Sequence, residues 1–574
     1  MKQKNNIYPH LLPNIEDWPI YKLSEDRRNF VREIEEETLQ FFLKKPTTAL
    51  QEIISKTIYL ERIRIKEEPW KVDPPKEAQF WKKIQRQLID HSLDKNEAEA
   101  TPTHEEILRQ IIHRYTEEIV GTFKIPTFRF ARKFLTLFFT RLLNTAAGKS
   151  IWGSKYRLSD RMLVKGHVDT TRSLFKKGTV IVVPTHFSNL DSILVGYAMD
   201  TFAGLPAFAY GAGLNLYNAG FAAYFMNRLG AYRVDRRKKN SIYLETLKTM
   251  SNLIIQRGVN SIFFPGGTRS RSGALEARLK MGLLGTAIDA QRDLLIKNES
   301  TKIFIVPIIL GYHFVLEAPF LIEQYLRIIG KERYLKAKDD FYNPWKVLQF
   351  AWKFFAESND IIVSFGQPMD VLGNPVDAEG NSYDKYGNSI DIRDYFMSEG
   401  ILSPNEQREA EYTKHLAEKI VARYHKDNVV LSSHLVAFAA FQMLQRQNAR
   451  LDLYGVLRLP TDDYVFDQNT LIEVIDQLKD ALKEMEQKDE IKLSEQIYWD
   501  TPKMIADGIK RLGNYHVQKP LRYNKKGAIV SESFKLLYYY HNRLESYNLQ
   551  EKIRLKKQDL ETVSTNFDKT DLLD

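Results

Sequence analysis

Hydrophobic residues recur at helical spacing through much of the first 150 residues. One such stretch covers residues 24–45, and a second covers residues 103–120 with Thr103 as a candidate N-cap. Between them, residues 67–75 contain three prolines, which interrupt a helix. This pattern predicts an N-terminal helical region over residues 1–150.

From about residue 164 the pattern changes to short apolar runs that alternate with helical stretches. Alternation of this kind predicts an α/β domain with a mainly parallel, mixed sheet, which we place at residues 151–370. The candidate strands are residues 179–184, 207–210, 261–264, 303–310 and 360–365, and the candidate helices include residues 241–256 and 275–297.

The remainder of the chain divides into three predicted parts. Residues 371–400 form a polar, turn-rich insert, residues 401–560 a C-terminal helical domain, and residues 561–574 a loose acidic tail. The aspartates of the insert lack the spacing of an EF-hand loop, so we predict no metal site. We also expect no internal repeat.

Residues 128–143 are aromatic and leucine-rich, with a few cations as their only charges. Two interpretations are open: an interfacial helix that lies on a membrane, or a helix buried against the next domain. Residues 345–356 have a similar composition. No run of about 18 uncharged apolar residues is present, so we predict peripheral contact with a membrane and not a transmembrane helix.

Composition narrows the chemistry. The 574 residues include no cysteine, which excludes disulfides, zinc–thiolate sites and thiol nucleophiles. Lysine and arginine number 83 against 73 acidic residues, a net charge of +10 that favours polyanionic partners such as anionic lipid or phosphorylated substrates. Because basic and acidic residues are interleaved along the chain, we expect no nucleic-acid partner.

His186 follows the predicted strand 179–184 directly, and Asp191 lies five residues further on. Chain geometry therefore places His186 at the C-terminal edge of the sheet, beside a helix that we expect to start near Leu190 with Ser188 or Asn189 as its cap. A carboxylate that bonds one ring nitrogen makes the other nitrogen a better base. Taken alone, such a pair is more often a structural histidine and an aspartate that complements a helix dipole.

Two further segments carry clustered cations. Residues 230–239 end in Arg236, Arg237, Lys238 and Lys239, which suit either a phosphate or a solvated loop. Residues 263–273 place two glycines, two arginines and three hydroxyls in one run, which favours phosphate recognition without matching a P-loop. The residues of this second run that we assign to substrate binding are Gly266, Gly267, Thr268, Arg269, Ser270 and Arg271.

Taken in order, these blocks resemble the glycerolipid acyltransferase superfamily. His186 and Asp191 match its His-x-x-x-x-Asp pair, and Gly230 to Arg236 match its second block. Phe264 to Gly273 match its third block. Val306-Pro307 resemble the fourth block, and Lys280 with Gly282 resemble a lysine and glycine that usually follow the third.

The fourth block continues with Gly311, Tyr312, Val315 and Glu317, similar to the glycerol-3-phosphate acyltransferase branch. One departure is notable, because Gly266 stands where the family normally has a glutamate that is thought to orient the acyl acceptor. Asp235 likewise stands where that branch often has arginine.

The resemblance implies acyl transfer from acyl-CoA or acyl-carrier protein to the sn-1 hydroxyl of glycerol 3-phosphate. In this scheme His186 is the base and Asp191 orients it. The substrate-binding residues would be Arg236, Lys280, Pro307 and the 266–271 run, with backbone N–H groups near Gly266–Gly267 or the helix N-terminus for the oxyanion.

The resemblance also implies no bound cofactor and a peripheral location on the cytoplasmic face of a bacterial inner membrane. Other acceptors remain open, among them lysophosphatidate, other lysophospholipids and dihydroxyacetone phosphate. A more distant alternative is a non-catalytic protein that binds membrane surfaces or nucleic acid.

Overall fold

The N-terminal region is a bundle of helices, as the hydrophobic spacing predicts. The computed structural model describes residues 7–70, 72–92, 97–145, 162–214, 220–330, 361–461, 464–513 and 515–554. The bundle consists of α1 (Pro19–Glu25), α2 (Arg27–Leu43), α3 (Thr47–Glu67), α4 (Glu77–Ser92), α5 (Glu97–Ile119) and α6 (Ile125–Thr145), preceded by a 3-10 turn at Ile15–Asp17.

The structure corrects two details of this region. The predicted helix 24–45 is two helices, because the backbone leaves helical geometry at Asp26. Thr103 is not an N-cap, since α5 begins six residues earlier at Glu97. The proline-containing segment 67–75 does separate α3 from α4, as expected.

The α/β region contains one seven-stranded sheet in the order β1-β7-β6-β2-β5-β3-β4. All neighbouring pairs are parallel except β6–β7, so the predicted mainly parallel, mixed sheet is confirmed. The strands are β1 (Met162–Gly166), β2 (Gly178–Pro184), β3 (Ala209–Gly213), β4 (Ala231–Val234), β5 (Ser261–Ile262), β6 (Lys302–Tyr312) and β7 (Ile361–Phe365).

Helices cover both faces of this sheet. Those between the strands are α7 (Val168–Leu174), α8 (Asp191–Thr201), α9 (Gly220–Met226), α10 (Ser241–Gln256), α11 (Met281–Ile296) and α12 (Ala318–Ile329). The third strand begins at Ala209, three residues after Pro206, and not at residue 207. Helix α11 begins at Met281 and not at residue 275, because the preceding residues belong to a loop.

The polar insert contains a seven-residue repeat, so the expectation of no internal repeat is wrong. Residues 370–374, 377–381 and 384–388 each read Asp-x-x-Gly-Asn. In every copy the glycine N–H donates to the aspartate carbonyl, the asparagine N–H and side chain both donate to the aspartate carboxylate, and the glycine has a φ of +82° to +87°. The repeat yields tandem tight turns, with β8 (Ser382–Tyr383) between the second and third turns and β9 (Ser389–Ile390) after the third.

The C-terminal region is helical around one buried helix, with short strand pairs between the helices. Residues 432–444 of its central helix are buried on all sides. Its elements are β10 (Met397–Ser398), β11 (Ile401–Leu402), α13 (Glu406–Lys426), β12 (Val429–Val430), α14 (Ser432–Gln447), α15 (Leu453–Leu457), β13 (Val465–Phe466), α16 (Gln468–Gln487), β14 (Lys492–Leu493), α17 (Thr501–Arg511), β15 (Arg522–Tyr523), β16 (Ile529–Val530) and α18 (Phe534–His541). Four 3-10 turns complete them: Ile392–Phe396, Glu495–Tyr498, Asn542–Tyr547 and Leu549–Lys552.

The three regions share hydrophobic cores. One core joins the N-terminal helices to α10, a second joins β2, α8 and β6 to the C-terminal helices, and a third lies under α11 and α13 on the opposite face of the sheet. The predicted boundaries of these regions stay predictions. The tail 561–574 and the segment 345–356 lie outside the described residues.

Helix α6 is packed against the protein on one side and exposed on the other. Phe128 and Leu135 pack inward, and Arg132 bonds Asp200. On the other side Phe130, Phe134 and Leu137 are exposed by 56%, 39% and 53%, at positions i, i+4 and i+7. We call these three residues the aromatic stripe. Among the described helices, none combines the length and apolar character needed to cross a bilayer.

Candidate active site

The sheet brings the sequence blocks to one edge. Strands β2, β5, β3 and β4 run parallel, so the segments that follow them emerge at the same end of the sheet. His186 follows β2, the glycine–arginine run follows β5, and Arg236 follows β4. From β2 the chain passes to β3 on one side, and from its neighbour β5 it passes to β6 on the other side. Where the connections of neighbouring strands run in opposite directions, the carboxyl ends of those strands are the place at which α/β sheets bind ligands.

His186 and Asp191 are hydrogen-bonded. The His186 Nδ1 atom lies 2.8 Å from Asp191 Oδ2, and the Asp191 side chain is fully buried while that of His186 is 17% exposed. The buried Asp191 carboxylate accepts a hydrogen bond from the Nδ1–H group of His186, which leaves Nε2 as an acceptor. Among the described residues nothing bonds Nε2, so this nitrogen is available to a substrate hydroxyl.

Asp191 is held by donors on all sides. Its Oδ2 also accepts the N–H groups of Phe187 (2.6 Å) and Ser188 (2.9 Å), and its Oδ1 accepts the Tyr312 hydroxyl at 2.6 Å. Burial and the nearby Asp191 carboxylate raise the pKa of Tyr312, so this phenol remains a donor. The helix cap differs from the expectation: α8 starts at Asp191, with Leu190 at the N-cap position and no side-chain cap.

Glu317 connects the histidine loop to the arginine run. Its Oε1 accepts the Asn189 N–H at 2.9 Å and lies 3.3 Å from Arg269 Nη1, while its Oε2 accepts the Ser188 hydroxyl at 3.1 Å. The glutamate is 3% exposed. One buried carboxylate thus holds both the loop of the predicted base and Arg269, a predicted phosphate ligand. The sequence indicated Glu317 only through the continuation of the fourth block.

The 264–273 segment, which we call the arginine turn, folds against the histidine loop. The Ser270 N–H donates to the His186 carbonyl at 2.7 Å, and the Phe264 ring lies 4.3 Å from the His186 ring. Arg271 is partly exposed and forms no ion pair with any described residue. It is therefore the cation of this turn that is most open to an anion.

Gly267 and Lys280 are neighbours in space. Gly267 has a φ of +77°, and a Cβ there would lie 2.7 Å from Lys280 Cδ, so both backbone conformation and space require glycine. The Lys280 N–H donates to the Pro265 carbonyl at 2.7 Å. The structure thus brings exposed Lys280 to the arginine turn, as the sequence predicts.

Several predicted donors are engaged elsewhere. The Ser270 hydroxyl donates to the Ala274 carbonyl, and the Gly267 N–H donates to Phe264. Near the helix N-terminus, the N–H groups of Phe187 and Ser188 bind Asp191. These groups stabilise the local fold, so the oxyanion role predicted for the Gly267 N–H and for these two N–H groups is not supported. Thr268 lies partly exposed in the turn.

Pro307 is part of the sheet and not of its edge. It lies within β6, paired with Val183, and its carbonyl accepts the Gly366 N–H at 2.8 Å. Its side chain is buried, so the structure gives it a place in the core beside the site and not on a substrate surface.

The second basic segment, Arg236 to Lys239, is divided in two. Arg236 and Lys239 are exposed. Arg237 bonds Asp235 (2.8 Å) and Asp73 (2.5 Å), and Lys238 bonds Glu118 at 2.5 Å. Two of the four cations therefore tie the sheet to the N-terminal helices. The unusual Asp235 pairs with the arginine two residues after it.

Residues of the C-terminal region contact the site and stabilise it. The sequence did not predict this contribution. A Cβ at Gly273 would lie 2.2 Å from the Tyr539 carbonyl, and Asn542 Nδ2 donates to the Ser272 carbonyl at 3.0 Å. The buried Arg543 guanidinium lies 4.4 Å from the Phe187 ring and donates to the Leu310 carbonyl. Burial lowers the pKa of Arg543 to about 10. In the sequence, this role of Arg543 is indicated only by an isolated arginine after a run of tyrosines.

Comparison with known proteins agrees with this geometry. Residues 165–311 match the family model named Acyltransferase. The chain is 26% identical over 275 residues to a glycerol-3-phosphate acyltransferase of Pseudomonas paraeruginosa, covering 48% of this chain and 29% of that protein. It is 28% identical over 245 residues to the Shewanella amazonensis protein of the same name, covering 40% of this chain and 27% of that protein.

A third protein of that name, from Hamiltonella defensa, is 33% identical over 201 residues, which cover 32% of this chain and 23% of that protein. The chain therefore matches less than a third of the length of each of these relatives. The residues matched by the family model, 165–311, contain the histidine pair, the arginine turn and all of β6 except its last residue. Residues 165–311 thus resemble an acyltransferase domain of the glycerolipid acyltransferase superfamily, and over less than half of its length the chain is similar to proteins named glycerol-3-phosphate acyltransferase.

Proposed function

We propose that this protein transfers a fatty acyl group from an acyl thioester to the sn-1 hydroxyl of glycerol 3-phosphate. The observation that carries the proposal is the Glu317 bridge, which joins the His186 loop to Arg269 in one rigid unit. A base and a phosphate ligand fixed to one another suit an acceptor that carries a hydroxyl and a phosphate on the same small molecule.

In this mechanism His186 Nε2 takes the proton of the acceptor hydroxyl as its oxygen attacks the thioester carbonyl carbon. Asp191 stabilises the resulting imidazolium, and Tyr312 together with two backbone N–H groups holds Asp191. The tetrahedral intermediate collapses with cleavage of the C–S bond, and the leaving thiolate takes the proton back from His186. The products are the acyl ester and the free thiol of CoA or of acyl-carrier protein.

Arg271 and Lys280 supply positive charge for the acceptor phosphate, with Arg269 oriented by Glu317. A planar guanidinium suits bidentate phosphate recognition. Arg236 is a further candidate at the same edge of the sheet. This mechanism involves no bound cofactor.

An acceptor panel tests the proposal. Purified protein is given one acyl chain, as CoA and as carrier-protein thioester, with glycerol 3-phosphate, dihydroxyacetone phosphate or lysophosphatidate. We expect glycerol 3-phosphate to give the highest kcat/KM, and His186→Ala to lower it by about 10²–10⁴-fold without loss of the folded state. Preference for lysophosphatidate would move the protein to another branch, and undiminished turnover by His186→Ala would refute the assignment of the base.

We also propose that the aromatic stripe contacts anionic lipid on the cytoplasmic face of a bacterial inner membrane. Phe130 stacks on Phe225 at 5.8 Å, and the neighbouring Tyr224 is 50% exposed beneath Arg228. Exposed aromatic rings edged by cations are the composition of an interfacial surface.

Sedimentation with vesicles tests this surface. Replacing Phe130, Phe134 and Leu137 with serine should reduce binding to vesicles that contain anionic lipid. Replacing exposed Tyr386, which is 77% exposed and lies in the insert, is the matched control. Equal binding by both variants would contradict the proposal.

A further inference from the structure

Glu276 contacts the backbone of the proposed base. Its Oε1 accepts the His186 N–H at 2.7 Å, while the Ser270 N–H donates to the His186 carbonyl, also at 2.7 Å. Both polar backbone groups of His186 are therefore held by the arginine turn and the residues just after it. The sequence gives Glu276 no motif, and it lies ten positions beyond Gly266.

The second carboxyl oxygen of Glu276 is buried and has no hydrogen-bond partner among the described residues. Burial raises the pKa of Glu276 to about 7, against the hydrogen bond from His186 and the positive charge of Arg543. The other titratable groups that face it are the His186 imidazole and Tyr424, whose pKa burial raises. A buried, incompletely bonded carboxyl destabilises a fold, so its presence beside the base points to a functional role.

Glu276 also occupies the space beside Gly266. A Cβ at Gly266 would lie 3.1 Å from Glu276 Cγ and 3.4 Å from its Oε1. Unlike Gly267, Gly266 has no positive φ, so its backbone does not require glycine. A side chain at position 266 would therefore press on Glu276, which would have to shift by a few tenths of an ångström.

We propose that Glu276 supplies a carboxyl group to the arginine turn and acts as a positioning residue for His186. Position 266 must stay small because the Glu276 side chain fills the space beside it. A side chain from position 276 thereby takes the place of a carboxylate at position 266. This inference rests on the proposed function, since its first test is acyl transfer.

The kinetic test is a swap between the two positions. Glu276→Ala should lower kcat on the order of 10²-fold by loosening the base, with little change in KM for acceptor or donor. Glu276→Gln keeps an acceptor for the His186 N–H and should retain most of the turnover. Gly266→Glu alone should lower kcat by crowding, whereas Gly266→Glu combined with Glu276→Ala should recover about tenfold over Glu276→Ala.

Two results would overturn the inference while wild type remains active. One is a folded double variant no faster than Glu276→Ala, and the other is Glu276→Gln as slow as Glu276→Ala. Glu245→Gln, which alters a half-buried carboxyl on α10, is the control and should match wild type.

An activity-independent measurement separates this inference from the proposed function. The chain has 12 histidines, so selective ¹⁵N-histidine labelling gives few amide signals, and His186→Ala identifies the one from His186. At pH 8 we expect the proton of that amide to resonate further downfield in wild type than in Glu276→Ala, because the hydrogen bond to the carboxylate deshields it. Identical behaviour of the two proteins would refute the contact, whereas an inactive wild type with the expected signal would refute only the proposed function.

Discussion

Two basic clusters lie at the same edge of the sheet, and they use their cations differently. At the end of β4, Arg237 and Lys238 are buried in ion pairs with Asp73 and Glu118 of the N-terminal region. In the arginine turn, Arg271 pairs with no described carboxylate, and Arg269 has a long contact of 3.3 Å with Glu317. One cluster joins two regions of the protein, and the other remains open to an anion.

The difference shows that cationic composition alone does not identify a binding site. The first cluster is denser in sequence, yet the Arg237 guanidinium stacks on Trp70 at 3.9 Å, and the Lys238 side chain is fully buried. Although burial opposes its charge, hydrogen bonds to Asp235 and Asp73 raise the pKa of Arg237. Whether a cation can bind a ligand depends on the carboxylates that surround it.

The largest expected effect is on stability, from the first cluster. Replacing Lys238 with Met leaves the Glu118 carboxyl buried without its cation, a loss of about 3–5 kcal/mol in the free energy of unfolding. The midpoint of urea unfolding measures it, with exposed Lys239→Met as the control. A selective rise in acceptor KM with unchanged stability would break the comparison, because it would make this cluster a ligand site.

Glu276 is a buried carboxyl, as is Glu118, and the second effect concerns the protonation of Glu276. The pKa of Glu276 is raised from 4.5 to about 7, so the native state binds more protons than the unfolded state between these values. Stability should therefore fall as pH rises from about 4.5 to 7 and level off above, by at most about 3 kcal/mol. Glu276→Gln should flatten this slope in urea unfolding followed across pH, and an unchanged slope would contradict the assignment.

The third prediction tests the open cluster. Arg271→Ala should raise the acceptor KM about 10–100-fold, equivalent to roughly 1.4–2.7 kcal/mol, because a phosphate loses a charged, multi-donor partner. The melting temperature should stay near that of wild type, since no described ion pair is lost. Arg271→Lys should restore only part of the affinity. A large fall in melting temperature would show that Arg271 is structural, like Arg237.

The smallest effect should come from the bridge between base and arginine. Glu317→Gln preserves a hydrogen-bonding group for Ser188 and Asn189 but removes the negative charge that faces Arg269. We expect a loss of kcat/KM within about tenfold, or roughly 1.4 kcal/mol or less. Steady-state kinetics with varied acceptor measure it, and a loss as large as that of His186→Ala would mean that Glu317 takes part in the chemistry.

Five of the seven strands of the sheet and the site edge could be predicted because they depend on local pattern, whereas β1 and β4 were not predicted. The β-branched run of β2 fixed the position of His186, and helix α10 begins at Ser241 and ends at Gln256 as its spacing predicts. The seven-residue repeat was also readable from sequence but was overlooked, since its unit is a turn and not a hydrophobic period.

What could not be predicted depends on contacts between residues far apart in the chain. Tyr312 reaches Asp191 across 121 positions, and Arg543 reaches Leu310 across 233. The division of the 236–239 cations likewise follows from carboxylates in the N-terminal helices. No local pattern carries this information, because packing of the three regions decides it.

The repeated turns of the insert have a consequence for protein engineering. Each seven-residue unit closes its own hydrogen bonds through its aspartate and asparagine, and the first unit follows Met369, which pairs with Ile305 of β6. Strand pairing nevertheless joins neighbouring units, at Val376 with Ser382 and at Tyr383 with Ser389, so removal of one unit would disturb the next. The exposed tip of the third turn, at Tyr386, is therefore the place at which a label could be attached while that pairing is kept.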